Sequence, residues 1–382
     1  MLPELLEGLF GIKLFDYISF RVALAAATAF LLAVLTGGPV IAWLRAKRVR
    51  ESATKSDSPE VAAAAAQSGK DETTTMGGSF LIASLLLSVL LWARLDNVNV
   101  VLGIVLTAGL AAVGFVDDFL KLTVLGSKGL SRSAKYVGLT VVTGSVLAML
   151  VWYATVHGRD TLLVLYPPFF KDVTFDFLAL GAGGIALFVA FQWFVIVGTS
   201  NAVNITDGMD GLAAGCAIIS TGALSVFCYV TGRADWTSYL HLPYVADAGE
   251  MAVVGGALIG ACMGFLWYNA YPAKVFMGDS GSLPLGGLMA WMAVVAKQEL
   301  VLPLVAIVFV LDLLTSLIQT WYFRMSGGKR LFTIAPVHHG LERYGGVFTK
   351  REAGWHEVTV VTRFWILAAV GALVSLALLK VR

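Results

Sequence analysis

Charged residues are scarce in this sequence, and their scarcity restricts the class of protein. Only 14% of the 382 residues are Asp, Glu, Lys or Arg, whereas 58% are hydrophobic. A soluble domain carries about 25% charged residues, so a soluble fold of this length would lack polar surface. The net charge of +2 is too small to indicate nucleic-acid binding. We therefore expect a chain that is solvated mainly by lipid and has no nucleic-acid partner.

Cysteine is also rare. The three cysteines, Cys216, Cys228 and Cys262, all lie in apolar runs. Their spacing fits neither a disulfide framework nor a thiolate metal site, so we expect them to be small core residues. The first long apolar run follows acidic Glu4 and Glu7 and has no basic segment or cleavage site before it. It is predicted to be a retained helix and not a signal peptide.

Apolar runs recur along the whole chain. A helix needs about 20 residues to cross a bilayer, and lipid offers no partners for unpaired backbone groups. A transmembrane β-barrel would alternate in polarity over about 10 residues, which the run at 81–91 does not. The sequence therefore predicts an all-α, polytopic membrane protein, a single integral-membrane domain over residues 1–382. The ten predicted spans are 18–44, 76–93, 98–116, 135–156, 178–199, 211–231, 250–268, 283–297, 300–323 and 363–381.

Lys and Arg mark the cytoplasmic side of such proteins. The basic cluster after the first span, 45–50, predicts that this loop is cytoplasmic and that both termini are periplasmic. The other loops then alternate, and every dense polar motif falls on the cytoplasmic side. The predicted cytoplasmic loops are about 45–75, 117–134, 200–210, 269–282 and 324–362. Because only Lys and Arg set this orientation, the shared side of the motifs indicates one active site.

Two adjacent carboxylates, Asp117 and Asp118, end the third span. Each would cost about 2.5–3.5 kcal/mol at a bilayer centre and less near the interface. Adjacent anions also repel each other unless a cation compensates. Such a pair suits Mg²⁺, which takes oxygen ligands and keeps substrate phosphates in its shell. Lys121, one turn on, can neutralise a phosphate or a carboxylate. A solvated helix end with an intrahelical Asp–Lys pair is the alternative.

The segment NAVNITDGMDG, residues 201–211, has a polar residue at every third position: Asn201, Asn204, Asp207 and Asp210. In a helix this spacing forms one stripe. The amides can bind a base or sugar edge, and the acids can bind a metal or ribose hydroxyls. An EF-hand is excluded because its ligand spacing and final Glu are missing. A polar turn with helix caps is the alternative.

A glycine-rich loop joins the seventh and eighth predicted spans and contains Asn269, Lys274 and the turn GDSGS from 278 to 282. Backbone N–H groups of such a turn can cradle phosphate, close to the carboxylate of Asp279. A serine nucleophile at Ser280 is disfavoured because the segment is flanked by membrane spans and lacks a triad context.

Adjacent histidines, His338 and His339, lie in the last predicted cytoplasmic loop with Arg343 nearby. A zinc site would need HExxH or a comparable ligand set, which is missing. Contact with phosphate is the favoured interpretation. Loop histidines without a role are the alternative.

Taken together, these motifs resemble the prokaryotic polyprenyl-phosphate sugar-phosphate transferase superfamily. The matching segments are DDFLK at 117–121, NAVNITDGMDG at 201–211, VFMGDSGSL at 275–283 and PVHH at 336–339. Three segments narrow the resemblance to the phospho-N-acetylmuramoyl-pentapeptide transferases: TTTMGG at 73–78, KGLSRSAKY at 128–136 and FLWYNAYPAKVFMGD at 265–279. The resemblance covers the second to tenth predicted spans.

The resemblance implies a ten-helix homodimer in the bacterial inner membrane. Such an enzyme uses Mg²⁺ to transfer phospho-MurNAc-pentapeptide from UDP-MurNAc-pentapeptide to undecaprenyl phosphate, forming lipid I and UMP in peptidoglycan biosynthesis. It implies that Asp279 binds the metal and that Asp117 and Asp118 are the essential acidic pair. We expect Asp118 to share the ion and Asp117 to deprotonate or position the lipid phosphate. The resemblance places these residues in the nucleotide pocket: Lys70, Asn201, Asn204, Asp207, Asp210 and Asn269. Lys121, Lys135, His338 and His339 would offset the remaining negative charge.

The sequence departs from the family pattern at four positions. Gln67, Glu72 and Thr74 stand where His, Gly and Pro are expected, and Gly340 replaces the third histidine of a triplet. These changes affect the first loop and any mechanism that needs three histidines, but they leave the acidic motifs intact.

Three rival functions remain open. A transferase for UDP-N-acetylglucosamine is disfavoured by the segments at 128–136 and 265–273. A secondary transporter would place ionisable groups near mid-membrane and show inverted repeats. A scaffolding homologue would not need the acidic motifs that this chain keeps.

Overall fold

The computed structural model describes residues 2–11, 13–47, 73–123, 127, 129–170, 173–351 and 353–380. Lys70, Gln67 and Glu72 lie outside these ranges. The helices in them are α1 Leu2–Phe10, α2 Ile18–Ala46, α3 Gly78–Trp92, α4 Val98–Thr123, α5 Arg132–Val156, α6 Gly181–Thr206, α7 Leu212–Thr231, α8 Ala234–Leu240, α9 Met251–Asn269, α10 Asp279–Val295, α11 Leu302–Val305, α12 Ile307–Met325, α13 Val337–Tyr344 and α14 Glu357–Ala377. A two-stranded antiparallel hairpin pairs β1 Val164–Leu165 with β2 Phe175–Asp176.

The helices confirm the all-α, polytopic class. Within the described ranges, eight helical segments are long and apolar enough to cross a membrane. Each of the ten predicted spans coincides with a helix, but α3 and α10 have only 15 and 17 residues. At 1.5 Å per residue they are about 22 and 26 Å long, less than the roughly 30 Å of a bilayer core. The predicted span 300–323 is divided at Ala306, where the backbone leaves helical geometry between α11 and α12.

Helix α10 lies at the centre of the bundle, and all 17 of its residues are buried. It contacts α3, α4, α6 and α7. Small residues allow the backbones to meet: a Cβ added at Gly78 of α3 would lie 2.2 Å from the backbone nitrogen of Gly281. Such close packing by small residues is the usual means of association between helices in lipid, where no hydrophobic effect draws them together. The three cysteines are free and buried, which confirms the prediction that they are core residues.

Buried polar contacts also lie at the other end of the bundle, away from the start of α10. Arg21 and Glu250 form a bidentate ion pair in which both side chains are 5% exposed. Lys297, after α10, donates to the Leu162 carbonyl at 2.6 Å. These groups tie helices and connecting segments together at the opposite ends of the helices from the predicted catalytic motifs.

Candidate active site

The structure brings three buried acids together. Asp117 and Asp118 lie near the end of α4, and Asp279 is the first residue of α10. Each offers an oxygen atom, and these oxygens all lie within 4.8 Å of one another. The cluster therefore joins two motifs that are far apart in the sequence, as their shared predicted side suggested.

Two lysines contact this acidic cluster. The Lys121 Nζ lies 2.6 Å from Asp117 Oδ2 and 3.3 Å from Asp279 Oδ2. The Lys135 Nζ lies 2.5 Å from the same Asp279 oxygen. The intrahelical Asp–Lys pair that the sequence left open therefore exists, but the lysine also reaches the facing helix. With all five groups ionised, the cluster keeps one net negative charge and can attract a further cation.

Asp118 has a second role, which the sequence did not predict. Its Oδ1 accepts from the backbone N–H of Asp279 at 3.2 Å, and its Oδ2 accepts from that of Ser280 at 2.9 Å. The first N–H groups of a helix have no partner within the helix, and this end carries partial positive charge. Asp118 therefore caps α10 from the neighbouring helix and holds Asp279 in place.

The predicted polar stripe divides between two environments. The Asn204 Nδ2 donates to Asp279 Oδ1 at 2.6 Å and to Ser282 Oγ at 2.8 Å, so this amide belongs to the acidic cluster. Asn201 instead donates to the Val197 carbonyl of its own helix. Helix α6 ends at Thr206, so that Asp207 is its C-cap.

Asp210 and Asn269 join two loops. The Asp210 Oδ2 accepts from the Ala273 backbone N–H at 2.9 Å. The Asn269 Oδ1 accepts from the Gly211 N–H, and its Nδ2 donates to the Val275 carbonyl. The loop after α6 is thereby held against the segment that leads to Asp279. A role for these two side chains in nucleotide binding stays a prediction.

The histidines lie on α13 against the loop that follows α6. A Cβ added at Gly208 would be 2.8 Å from His338 Nε2 and 3.1 Å from His339 Nε2. The fully buried His338 pairs through Nδ1 with Asp312 Oδ2 at 2.8 Å. Gly208 lies four residues after Asn204, so the histidine and acidic motifs meet at the same end of α6.

Burial, with a smaller contribution from His338, lowers the pKa of the His339 imidazole to about 4. The ring is therefore neutral at pH 7 and can hydrogen-bond a phosphate without carrying charge. A role for His339 in offsetting charge stays a prediction.

Gly340 stands where the family pattern has a third histidine, and the structure supplies a reason. A Cβ at this buried position would lie 2.8 Å from Thr333 Oγ1. That hydroxyl donates to the Gly346 carbonyl at 2.8 Å. The space beside residue 340 is therefore filled by a threonine that holds the following loop.

The first-loop motif reaches the site through its main chain. Phe276 N–H donates to the Thr74 carbonyl at 2.7 Å, and Gly77 N–H donates to the Phe276 carbonyl at 2.8 Å. Thr74 stands where proline is expected, and the group that accepts from Phe276 is its carbonyl, which proline also has. Threonine in place of proline at position 74 therefore preserves the hydrogen bond with Phe276.

Sequence reasoning missed two buried acids that contact the predicted site residues. Asp312 is the only acidic residue in α12, and an ionisable side chain inside an apolar span is itself a signal of function. Glu357, the first residue of α14, accepts from the Asp210 backbone N–H at 2.9 Å. Glu357 belongs to none of the motifs recognised in the sequence. Its partner is a backbone N–H, which any residue at position 210 other than proline would supply.

Comparison with known proteins gives two findings. The family model described as Glycosyl transferase family 4 matches residues 99–297, a range that contains the acidic cluster and the stripe of α6. The chain is also 40% identical, over 383 aligned residues, to a phospho-N-acetylmuramoyl-pentapeptide-transferase of Thermodesulfovibrio yellowstonii. That similarity covers 100% of this chain and 99% of the relative.

Proposed function

The chain belongs to the phospho-N-acetylmuramoyl-pentapeptide-transferase family, within glycosyl transferase family 4, and from this we propose its reaction. It transfers phospho-MurNAc-pentapeptide from UDP-MurNAc-pentapeptide to undecaprenyl phosphate, giving lipid I and UMP for peptidoglycan synthesis. Full-length similarity to a relative of that name carries the proposal. We propose that the reaction takes place at the cluster of three neighbouring acids, Asp117, Asp118 and Asp279.

The acidic cluster fits a magnesium ion. Mg²⁺ prefers hard oxygen ligands, and the three carboxylates present closely spaced oxygens with net negative charge left over. We propose that Asp279, with Asp118, holds the ion. When bound, Mg²⁺ would neutralise the charge of the diphosphate and of the UMP leaving group.

Other side chains at the acidic cluster align the reactants and offset their charge. Both reactants are anions, so aligning them and offsetting their charge are the main tasks. Lys121 and Lys135 already contact Asp279 and supply positive charge at that position. Asp117 positions the lipid phosphate, whose second pKa near 6 means that little deprotonation is needed at neutral pH.

The proposed nucleotide pocket lies beside Asn204, the amide that touches both Asp279 and Ser282. Two residues give its walls a fixed shape, since Asp210 and Asn269 hold the neighbouring loops together. The other members of the pocket are proposed from the family pattern: Lys70, Asn201 and Asp207.

We further propose a bacterial inner-membrane location, with the active site on the cytoplasmic face and both termini periplasmic. The positive cluster after α2 supports this orientation. A soluble nucleotide donor also requires a cytoplasmic site. A homodimer is proposed from the family resemblance alone.

The orientation can be tested by labelling. An impermeant thiol reagent should label a cysteine placed at position 239 from the periplasm but not one at position 350. The reverse pattern would overturn the orientation.

The function is tested with purified protein, UDP-MurNAc-pentapeptide, undecaprenyl phosphate and Mg²⁺. We expect UMP and lipid I to form together, and neither to form when the lipid phosphate is omitted. UDP-N-acetylglucosamine is the matched alternative donor. Turnover of that donor in place of UDP-MurNAc-pentapeptide would assign the chain to another polymer pathway, and release of no UMP from either donor would refute the transferase.

A further inference from the structure

Asp312 is an acid in an unusual place. It lies in the apolar helix α12 and is completely buried. A carboxylate inside a membrane span is costly and is normally paired and functional. Its partner is His338, also completely buried, on the separate helix α13.

This contact selects the orientation of the histidine. The Asp312 Oδ2 lies 2.8 Å from His338 Nδ1. A carboxylate accepts hydrogen bonds, so Nδ1 carries the proton and Nε2 points away from Asp312. An acid that binds one ring nitrogen in this way fixes the tautomer and the ring direction, and it stabilises the imidazolium when the ring is protonated.

The other ring nitrogen is directed at the site. His338 Nε2 is buried and has no hydrogen-bond partner among the described residues. It faces Gly208, where an added Cβ would lie only 2.8 Å away. The pair therefore leaves a buried polar atom of His338 facing the loop between Asn204 and Asp210.

We infer that Asp312 is a positioning residue that acts through His338, directing Nε2 at an oxygen of the nucleotide diphosphate. This inference rests on the proposed function. With Nδ1 held by Asp312, His338 donates from Nε2 only when it is protonated, and the Asp312 carboxylate supports that positive charge beside the anionic substrate. Because residue 208 is a glycine, no side chain occupies the position 2.8 Å from Nε2.

The test is a double-mutant cycle on kcat and KM for the nucleotide donor. D312N keeps the shape of the side chain but removes its charge. We expect kcat to fall by about tenfold or more, with KM within about threefold, as for an interaction made in the transition state. H338A should lose at least as much. Because Asp312 acts through His338, D312N should add less than about twofold in the H338A background.

Two further variants separate positioning from folding. S316A removes a hydroxyl that donates to the Asp312 carbonyl one turn along α12; it leaves the carboxylate in place and should keep the kcat of the wild type. D312E retains the charge, so its kcat should exceed that of D312N, and it too should add nothing to H338A. It completes the cycle should D312N not fold.

Two results would overturn the inference: a D312N enzyme with the kcat of the wild type, or an Asp312 variant whose full effect persists without His338. Failure of the proposed function looks different, because the wild-type protein would then form no UMP or lipid I.

Discussion

The contact between α4 and α10 predicts the effect of adding a single methyl group. In the substitution Gly114→Ala, the new Cβ would lie 2.1 Å from the Asp279 carbonyl oxygen and 2.7 Å from the Ser280 nitrogen. Both are backbone atoms and cannot rotate away. Ordinary contact begins near 3.4 Å, so the start of α10 must move by about 1.3 Å relative to α4.

That movement would displace the proposed catalytic groups at the start of α10. Asp279 begins α10, and its N–H is held by Asp118, four residues after Gly114. A misplacement of about 1 Å costs on the order of 100-fold in rate. Overpacking costs about 1–3 kcal/mol of stability, partly offset by the roughly 1 kcal/mol better helix propensity of alanine. The variant should therefore fold while its turnover falls by about 100-fold.

Release of UMP per folded protein measures this effect, with the thermal midpoint in detergent as the check on folding. Gly144→Ala is the matched control, since an added Cβ at Gly144 meets no atom within 4 Å. It should keep turnover within about twofold of the wild type. A Gly114→Ala enzyme within threefold of the wild type would refute the close approach of α4 to Asp279.

Three further predictions concern the metal, the opposite end of the bundle and the missing histidine. Asp279→Asn should lose Mg²⁺ binding and turnover, whereas Asp117→Asn should lose turnover but keep most Mg²⁺ binding; equilibrium dialysis that gave the opposite result would exchange the two assignments. Glu250→Gln leaves a buried arginine without its counter-charge, so the free energy of unfolding should fall by about 3 kcal/mol. Turnover per folded protein should not change, and a large loss of kcat would show that this distant pair reaches the site. Gly340→His should lower turnover by about tenfold, because a buried threonine occupies that space; a rate equal to or above that of the wild type would contradict the crowding.

The sequence could predict that the acidic motifs share one side of the membrane, because that depends only on where Lys and Arg fall. It could not predict which groups touch. Asn201 and Asn204 look equivalent in the sequence, yet only Asn204 reaches Asp279, while Asn201 bonds its own helix. The difference depends on how α6 is rotated against α10, and this is set by close backbone contacts such as that of Gly286 with Thr199.

The ends of the helices were also only partly predictable from the sequence. Apolar length located every predicted span, but the third was expected to end at 116 and α4 continues to Thr123. The helix can continue because its polar end is satisfied: Asp117 and Asp118 have partners in Lys121, Leu130 and the start of α10. Tertiary contacts of this kind leave no mark in the hydropathy of one segment.

The cap that Asp118 makes on α10 links ligand binding to thermal stability. Asp118, one of the three carboxylates that offer oxygens to a cation, also holds the start of α10 against α4. A compound or ion that binds this arrangement favours the packed state over the separated one. At 100 times its dissociation constant it raises the free energy of unfolding by about 2.7 kcal/mol, and the unfolding temperature rises with it. Thermal shift in detergent could therefore find ligands of the acidic cluster without a lipid substrate or a turnover assay.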